Sequence, residues 1–256
     1  MITANPILMP ASSRRQRQIR PRRSRARSAR AFTLIELLVV IAIISLIASM
    51  IVPVTGALSR NKVRTKARVE LAQVRMAIEA YKTRMGHYPP DNPASQYLNQ
   101  LYYELLGTTY VVNSDSTRTY AALDGSSTGL SSISVNSAFG VGGFVNSSQP
   151  GGGDEARAAI AFLRQLKQGQ YADITVGGTT VRILTCSIPW TGSSGTSAHP
   201  GLPVNPVPLN ANPFRYVSSN PTNNPSSFDL SVDVIIAGKT NRISNWSRDP
   251  IIVGAP

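Results

Sequence analysis

The chain has 256 residues, 42 % of them apolar, with 26 Lys and Arg against 13 Asp and Glu and a formal charge of +13. That apolar content excludes a wholly disordered chain. The single cysteine, Cys186, excludes a disulfide scaffold, and the length allows one or two domains.

The charge is unevenly spread. Residues 1–31 hold nine Arg and no acid, and residues 60–84 hold eight Lys and Arg against Glu70 and Glu79. Residues 85–256 hold nine Lys and Arg against ten acids. The basic character belongs to the N-terminal third. The larger C-terminal region is near neutral and is not the usual basic nucleic-acid footprint.

Between the basic blocks, Phe32 to Val52 is a run of 21 residues with one charge, Glu36. As a helix it spans about 30 Å, the thickness of a bilayer core. The spacing predicts a membrane-inserted segment, with the Arg-rich leader in the cytoplasm and the C-terminus outside. Five basic residues after the run (Arg60, Lys62, Arg64, Lys66 and Arg68) pull the other way, but the preceding block is larger and has no acid.

Three ordinary readings compete. A secretory signal peptide would need a cut near Thr55-Gly56-Ala57, but the apolar run is longer than usual. Ser13-Arg14-Arg15 invites a twin-arginine reading, but Gln16-Arg17-Gln18 follows where apolar residues belong. A plain signal anchor is the third. None explains Glu36. A carboxylate at a membrane helix centre costs roughly 2.5–3.5 kcal/mol, less near an end, and such a group calls for a partner. The sequence offers no cation between Arg30 and Glu36. Another chain, or a new N-terminus made by cleavage, could supply the partner.

The residues that carry Glu36 are Ala31 and then Phe32-Thr33-Leu34-Ile35-Glu36-Leu37-Leu38-Val39-Val40-Ile41-Ala42-Ile43-Ile44. This stretch closely resembles the processing and methylation signature of type IV pilins and type II secretion pseudopilins. The resemblance implies cleavage between Ala31 and Phe32 by a prepilin peptidase, N-methylation of Phe32, and a conserved glutamate at Glu36. Pro53 falls where the family often kinks its helix. The family usually has Gly before the cut, and here Ala31 stands there. The freed Phe32 amine is mostly protonated at neutral pH. Glu36 of a neighbouring subunit can pair with it, which sets axial register. The resemblance further implies a homo-oligomeric filament as partner, a prepilin peptidase and N-methyltransferase, an inner-membrane platform with a cytoplasmic assembly ATPase, and membrane lipid.

Past the membrane, Val63, Ala67, Leu71, Val74, Ile78, Tyr81 and Met85 step at helical period, and Gly86 with Pro89-Pro90 stops the helix. The basic residues at 60–68 suit lipid headgroups or a solvated face, and nucleic acid is not an expected partner. Leu98, Leu101, Tyr102, Leu105 and Leu106 predict a short amphipathic helix. Residues 113–153, rich in Ser, Gly and Asn, read as an irregular insertion. Ala156 to Lys167 reads as a helix, with Ile160, Leu163 and Leu166 inward. Tyr171–Val176 and Thr179–Thr185 flank Gly177-Gly178 as a hairpin. Trp190 to Pro213 reads as coil. Phe214–Val217, Phe228–Ile236, Arg242–Trp246 and Ile251–Val253 read as short strands.

The expected fold class is α+β, a long N-terminal helix (membrane half plus amphipathic half) packed on a small antiparallel sheet. The expected division is 1–31 leader, 32–53 transmembrane and assembly helix, 54–85 amphipathic continuation, and 86–256 α+β domain. Gly86-His87-Tyr88-Pro89 and the order Phe214-Arg215-Tyr216, Phe228-Asp229-Leu230, Ile243-Ser244-Asn245-Trp246 resemble the major pseudopilin of type II secretion. That resemblance implies a pilin-like fold and a secretion pseudopilin. The alternative is a minor type IV pilin for adhesion or DNA uptake. The pseudopilin family binds a structural calcium in a C-terminal loop, but Ala237 to Ser244 contains no acid and the site is not carried over. No cofactor is expected. His87, His199 and Cys186 form no triad or zinc spacing, and Gly151-Gly152-Gly153 lacks the Lys-Ser/Thr of a phosphate loop, so no enzyme is expected.

Overall fold

The computed structural model describes residues 32–127, 129–151, 158–191, 199–202 and 210–254, and the side chains of residues 50–55 and 57 lie outside that description. The leader and Ala31 also lie outside it. The chain divides into two compact units, Met1–Met50 and Ile51–Pro256.

Helix α1, Leu34–Met85, begins in the first unit and ends in the second. Pro53 falls within its bounds, and its side chain is among those not described. Among the described residues no helix is long and apolar enough to cross a membrane. Within the run Phe32 to Val52 the side chains are described as far as Ser49. In the second unit the stripe at helical period is buried: Ala67, Leu71, Val74, Ile78 and Tyr81 sit in the core, with Val63 and Met85 packed at its margins. Full burial of each large member contributes about 1.5–3 kcal/mol. The helix stops at Gly86, whose φ of 88° is left-handed and whose N–H donates to Lys82 O at 2.9 Å.

Helix α2, Leu101–Leu106, is shorter than expected and is buried on every side, not amphipathic. Strand β1, Thr108–Val112, follows it directly. Residues 113–153 are not an irregular insertion. They supply strands β2 (Arg118–Ala122) and β3 (Leu130–Ser131), helix α3 (Ser132–Phe139) and strand β4 (Ser147–Ser148). With β1 these make a four-stranded sheet in the order β3-β2-β1-β4, in which β1 and β4 run parallel. Ser131 caps α3 by accepting the Ser134 N–H at 3.1 Å, and Gly140 closes it in a left-handed turn. Tyr120 on β2 enters an aromatic cluster with Phe144, Tyr103 and Phe139, in which Tyr103 stacks on Phe144 at 4.5 Å. Four buried rings from scattered positions outweigh the polar composition around them.

The helix expected over 156–167 is also corrected. Residues 158–167 are non-helical, and 152–157 lie outside the described residues. The apolar spacing fits a helix, but tertiary bonds capture the backbone first. Phe162 and Leu163 N–H groups both donate to Leu105 O, at 2.8 and 2.9 Å. Ile160 exchanges bonds with the Asn146 side chain.

Strands β5 (Tyr171–Val176) and β6 (Thr179–Leu184) form the expected hairpin. Both turn glycines have positive φ, 56° at Gly177 and 81° at Gly178, as a two-residue turn matching strand twist requires. Strands β7 (Arg215–Val217), β8 (Asp229–Ile236), β9 (Lys239–Ser244) and β10 (Ile251–Gly254) form an antiparallel sheet in the order β10-β9-β8-β7. The described parts of Trp190 to Pro213 are without strand or helix. The fold is α+β, with mixed helix and mainly antiparallel sheet.

Candidate functional site

The sequence places the functional chemistry at the start of α1. There Phe32 is 77 % exposed. Thr33 and Glu36 form a reciprocal cap. Thr33 N–H and Thr33 Oγ1–H donate to Glu36 Oε2, at 2.9 and 2.8 Å, while Glu36 N–H donates to Thr33 Oγ1 at 3.3 Å. Two of the helix's orphan donors are met by side chains three residues apart. Both bonds to the carboxylate land on one oxygen, and Oε1 takes neither. Sequence reasoning missed Thr33. The signal that finds it is the Thr-x-x-Glu spacing ahead of an apolar run.

Around Glu36 the large apolar side chains are exposed. Phe32, Leu34, Ile35 and the large apolar residues from Leu37 to Ile47 are all exposed. A contiguous apolar surface of this size marks an interface with lipid or with other chains. Glu36 is the acid in the helix's first turn.

The remaining residues considered in the sequence serve the interior. Cys186 is buried, and burial with the nearby Glu70 carboxylate pushes its thiol up to about 12. It stays protonated at neutral pH and is no nucleophile. His87 Nδ1 lies 2.9 Å from Tyr88 O in an exposed turn. Asp229 accepts three bonds of 2.9 Å, from Asn223 N–H, its amide and Asn224 N–H. Asp233 pairs with Arg242 through two bonds, at 2.8 and 2.9 Å. The stretch 237–244 is a tight turn and β9, so these carboxylates already face protein donors. Among the described residues no three of His, Cys, Asp and Glu gather as a metal site.

His199 is buried between Tyr97 and Trp190, with ring centroids 4.7 and 4.6 Å away, and its Nδ1 accepts the Gly201 N–H at 3.1 Å. Desolvation lowers its pKa from 6.5 to about 4, opposed by Asp233. A depressed histidine contributes stability that is whole above its unfolded pKa and is lost as pH falls through the folded one. His199→Gln should therefore flatten the loss of stability between pH 6.5 and about 4. Urea midpoints followed by tryptophan fluorescence across that range check it. An unchanged slope would mean that the imidazole is solvated in the native state.

Comparison with known proteins bears on the N-terminal site alone. No curated protein and no solved structure matches the chain. The prokaryotic N-terminal methylation motif, a type IV pilin-like signal, matches residues 26–52, a stretch that contains Ala31, Phe32, Glu36 and the apolar run, and it supports a type IV pilin-like, prepilin-processed protein.

Proposed function

We propose that this chain is a pilin-like structural subunit, a pseudopilin of a type II secretion or related pilus-like machine. The observation that carries the reading is the methylation motif laid over an exposed apolar helix start whose lone charge is Glu36. The leader holds the N-terminus in the cytoplasm while the apolar run lies in the inner membrane and the C-terminal domain lies outside. Cleavage between Ala31 and Phe32, followed by methylation of the Phe32 amine, releases the subunit for assembly. Glu36 of one subunit then meets the amine of the next, because an unpaired charge is costly away from water and pairing removes much of that cost. Energy comes from a separate assembly ATPase acting through a membrane platform. The secretion assignment rests on the resemblance of Gly86–Pro89 and of the β7–β9 segments to major pseudopilins. A minor type IV pilin would share the processing chemistry.

Intact-mass and N-terminal peptide analysis of the protein from its native membrane is the test. The expected product begins with N-methyl-Phe32. A chain beginning near Leu58 would mean signal-peptide cleavage and would end the pilin reading. A chain beginning at Met1 would mean that Ala31 is refused by the peptidase.

A further inference from the structure

The sheet β10-β9-β8-β7 has two unlike faces. Tyr216, Leu230, Val232 and Ile243 enter the core. Their chain neighbours Arg215, Ser231 and Arg242 stand on the other face, since side chains alternate along a strand. Register sets Arg215 beside Ser231, and Arg242 beside Asp233. Arg215, Asp229, Ser231, Arg242 and Trp246 line a cavity of about 100 Å³ on that face.

The polar groups there are only partly used. Arg215 donates from Nε and Nη2 to Gln96 Oε1, at 3.2 and 2.6 Å. Arg242 commits the same two nitrogens to Asp233. Neither Nη1 has a hydrogen-bond partner among the described residues. Ser231 is 1 % exposed, and its hydroxyl has no partner among them either. A buried hydroxyl is costly to leave unmet, so one that lines a cavity calls for a guest. Asp229 takes three donors from Asn223 and Asn224, and a carboxylate has about four acceptor positions.

Charge and volume define the guest. Arg215 and Arg242 stand with Asp229 and Asp233 on one face, and the four formal charges cancel. The site therefore has no net charge with which to hold a free ion. It offers donors and acceptors together, and an alcohol group is both. The cavity of about 100 Å³ matches the liquid volume of about three waters. Adjacent hydroxyls on one edge of a sugar ring can take the places of such waters. Trp246 adds an aromatic ring to the lining, an apolar surface for the C–H face of the same sugar.

We propose that this cavity binds the hydroxyl-bearing edge of an uncharged sugar. Arg215 and Arg242 donate through Nη1, Ser231 donates and accepts, and Asp229 accepts through its remaining position. The site goes beyond the filament role and does not rest on it.

Titration of the full-length chain with methyl α-mannoside, methyl β-galactoside and N-acetylglucosamine tests the site, with tryptophan fluorescence as the readout. The chain is held in lauryldimethylamine oxide, a detergent without a sugar headgroup. At least one of the three should bind saturably with a millimolar Kd. Ser231→Ala breaks no bond within the chain and should weaken that binding about fivefold. Arg215→Gln should weaken it about tenfold or more. Near-UV circular dichroism verifies the fold of both variants. Absence of saturable binding by all three sugars would overturn the proposal, as would binding that both variants leave unchanged. Inorganic phosphate is the second probe. Saturable phosphate binding that is lost in Arg215→Gln, without sugar binding, would overturn the uncharged ligand in favour of an anion.

Discussion

Replacing Glu104 with alanine should cost about 3–5 kcal/mol, a large share of the stability of a domain this size. Glu104 is fully buried in α2 and accepts three bonds. Tyr81 hydroxyl of α1 donates to Oε2 at 3.0 Å, Val145 N–H to Oε1 at 2.8 Å, and Asn146 N–H to Oε2 at 2.9 Å. One carboxylate therefore ties the amphipathic half of α1 to α2 and to the segment entering β4. Alanine would leave three donors without this acceptor in the interior, and an unmet buried donor costs about 1–3 kcal/mol. Glu104→Gln keeps the volume but turns an amide N–H toward a backbone donor, so a smaller loss of about 2 kcal/mol is expected. Urea unfolding of the detergent-solubilised chain, followed by near-UV circular dichroism, measures both. A loss under 1 kcal/mol for alanine would mean that water replaces the carboxylate without penalty.

Glu104 also shapes the pH profile. Burial raises its pKa, against the lowering effect of its three donors and of His87. A raised carboxylate contributes stability that is present below the unfolded pKa and is lost as pH climbs through the folded one. His199 acts in the opposite direction, losing its contribution as pH falls toward about 4. In the wild-type profile these two contributions oppose one another. Each single variant should remove its own group's share of the slope.

What was legible in the sequence followed from local rules. The β5–β6 hairpin is written in Gly177-Gly178, because a tight turn of that hand needs positive φ at both central positions. The β8–β9 hairpin was legible only in part: its second strand, expected over Arg242–Trp246, is Lys239–Ser244, because the chain turns in two residues at Ala237-Gly238, both at positive φ. The sheet β3-β2-β1-β4 was not legible, because its strands are five residues or shorter and its order depends on tertiary partners. Asn146, which donates to Glu104 O and Ile160 O at 2.7 Å, lies 42 residues from the first and 14 from the second. The same bonds abolished the helix expected around Ile160. Spacing alone cannot weigh a local helix against an acceptor such as Leu105 O, which takes two donors from that segment.

The site divides along the same line. Phe32 and Glu36 could be read from the motif, because it lies in one short continuous stretch of sequence. Thr33 was equally near, but its role emerges only once its hydroxyl and amide are seen to meet one oxygen of Glu36. Arg215, Ser231 and Arg242 carry no motif, and only strand register brings them to one cavity.

Glu36→Gln should cut assembly into filaments by about a hundredfold or more while leaving processing and the helix start intact. The observed cap and the proposed pairing are separable because they need different things. Capping needs an acceptor three residues past Thr33, which a glutamine supplies. Pairing with the Phe32 amine of a neighbour needs a negative charge, and breaking a pair away from water costs about 3–5 kcal/mol. Thr33→Ala makes the complementary change, deleting the hydroxyl that bonds Glu36 while keeping the charge. It should cost about 1 kcal/mol at the helix start and leave assembly within about tenfold of wild type. Crosslinked or sedimented filament measured against processed monomer, with the mature N-terminus verified by mass, separates the cases. If Glu36→Gln assembled normally and Thr33→Ala did not, the carboxylate would be a helix cap and register would have to be set elsewhere along the apolar run. Loss in both would mean that the cap positions the charge, since an amine approaching Glu36 would then need Oε2 held by Thr33 and Oε1 left open.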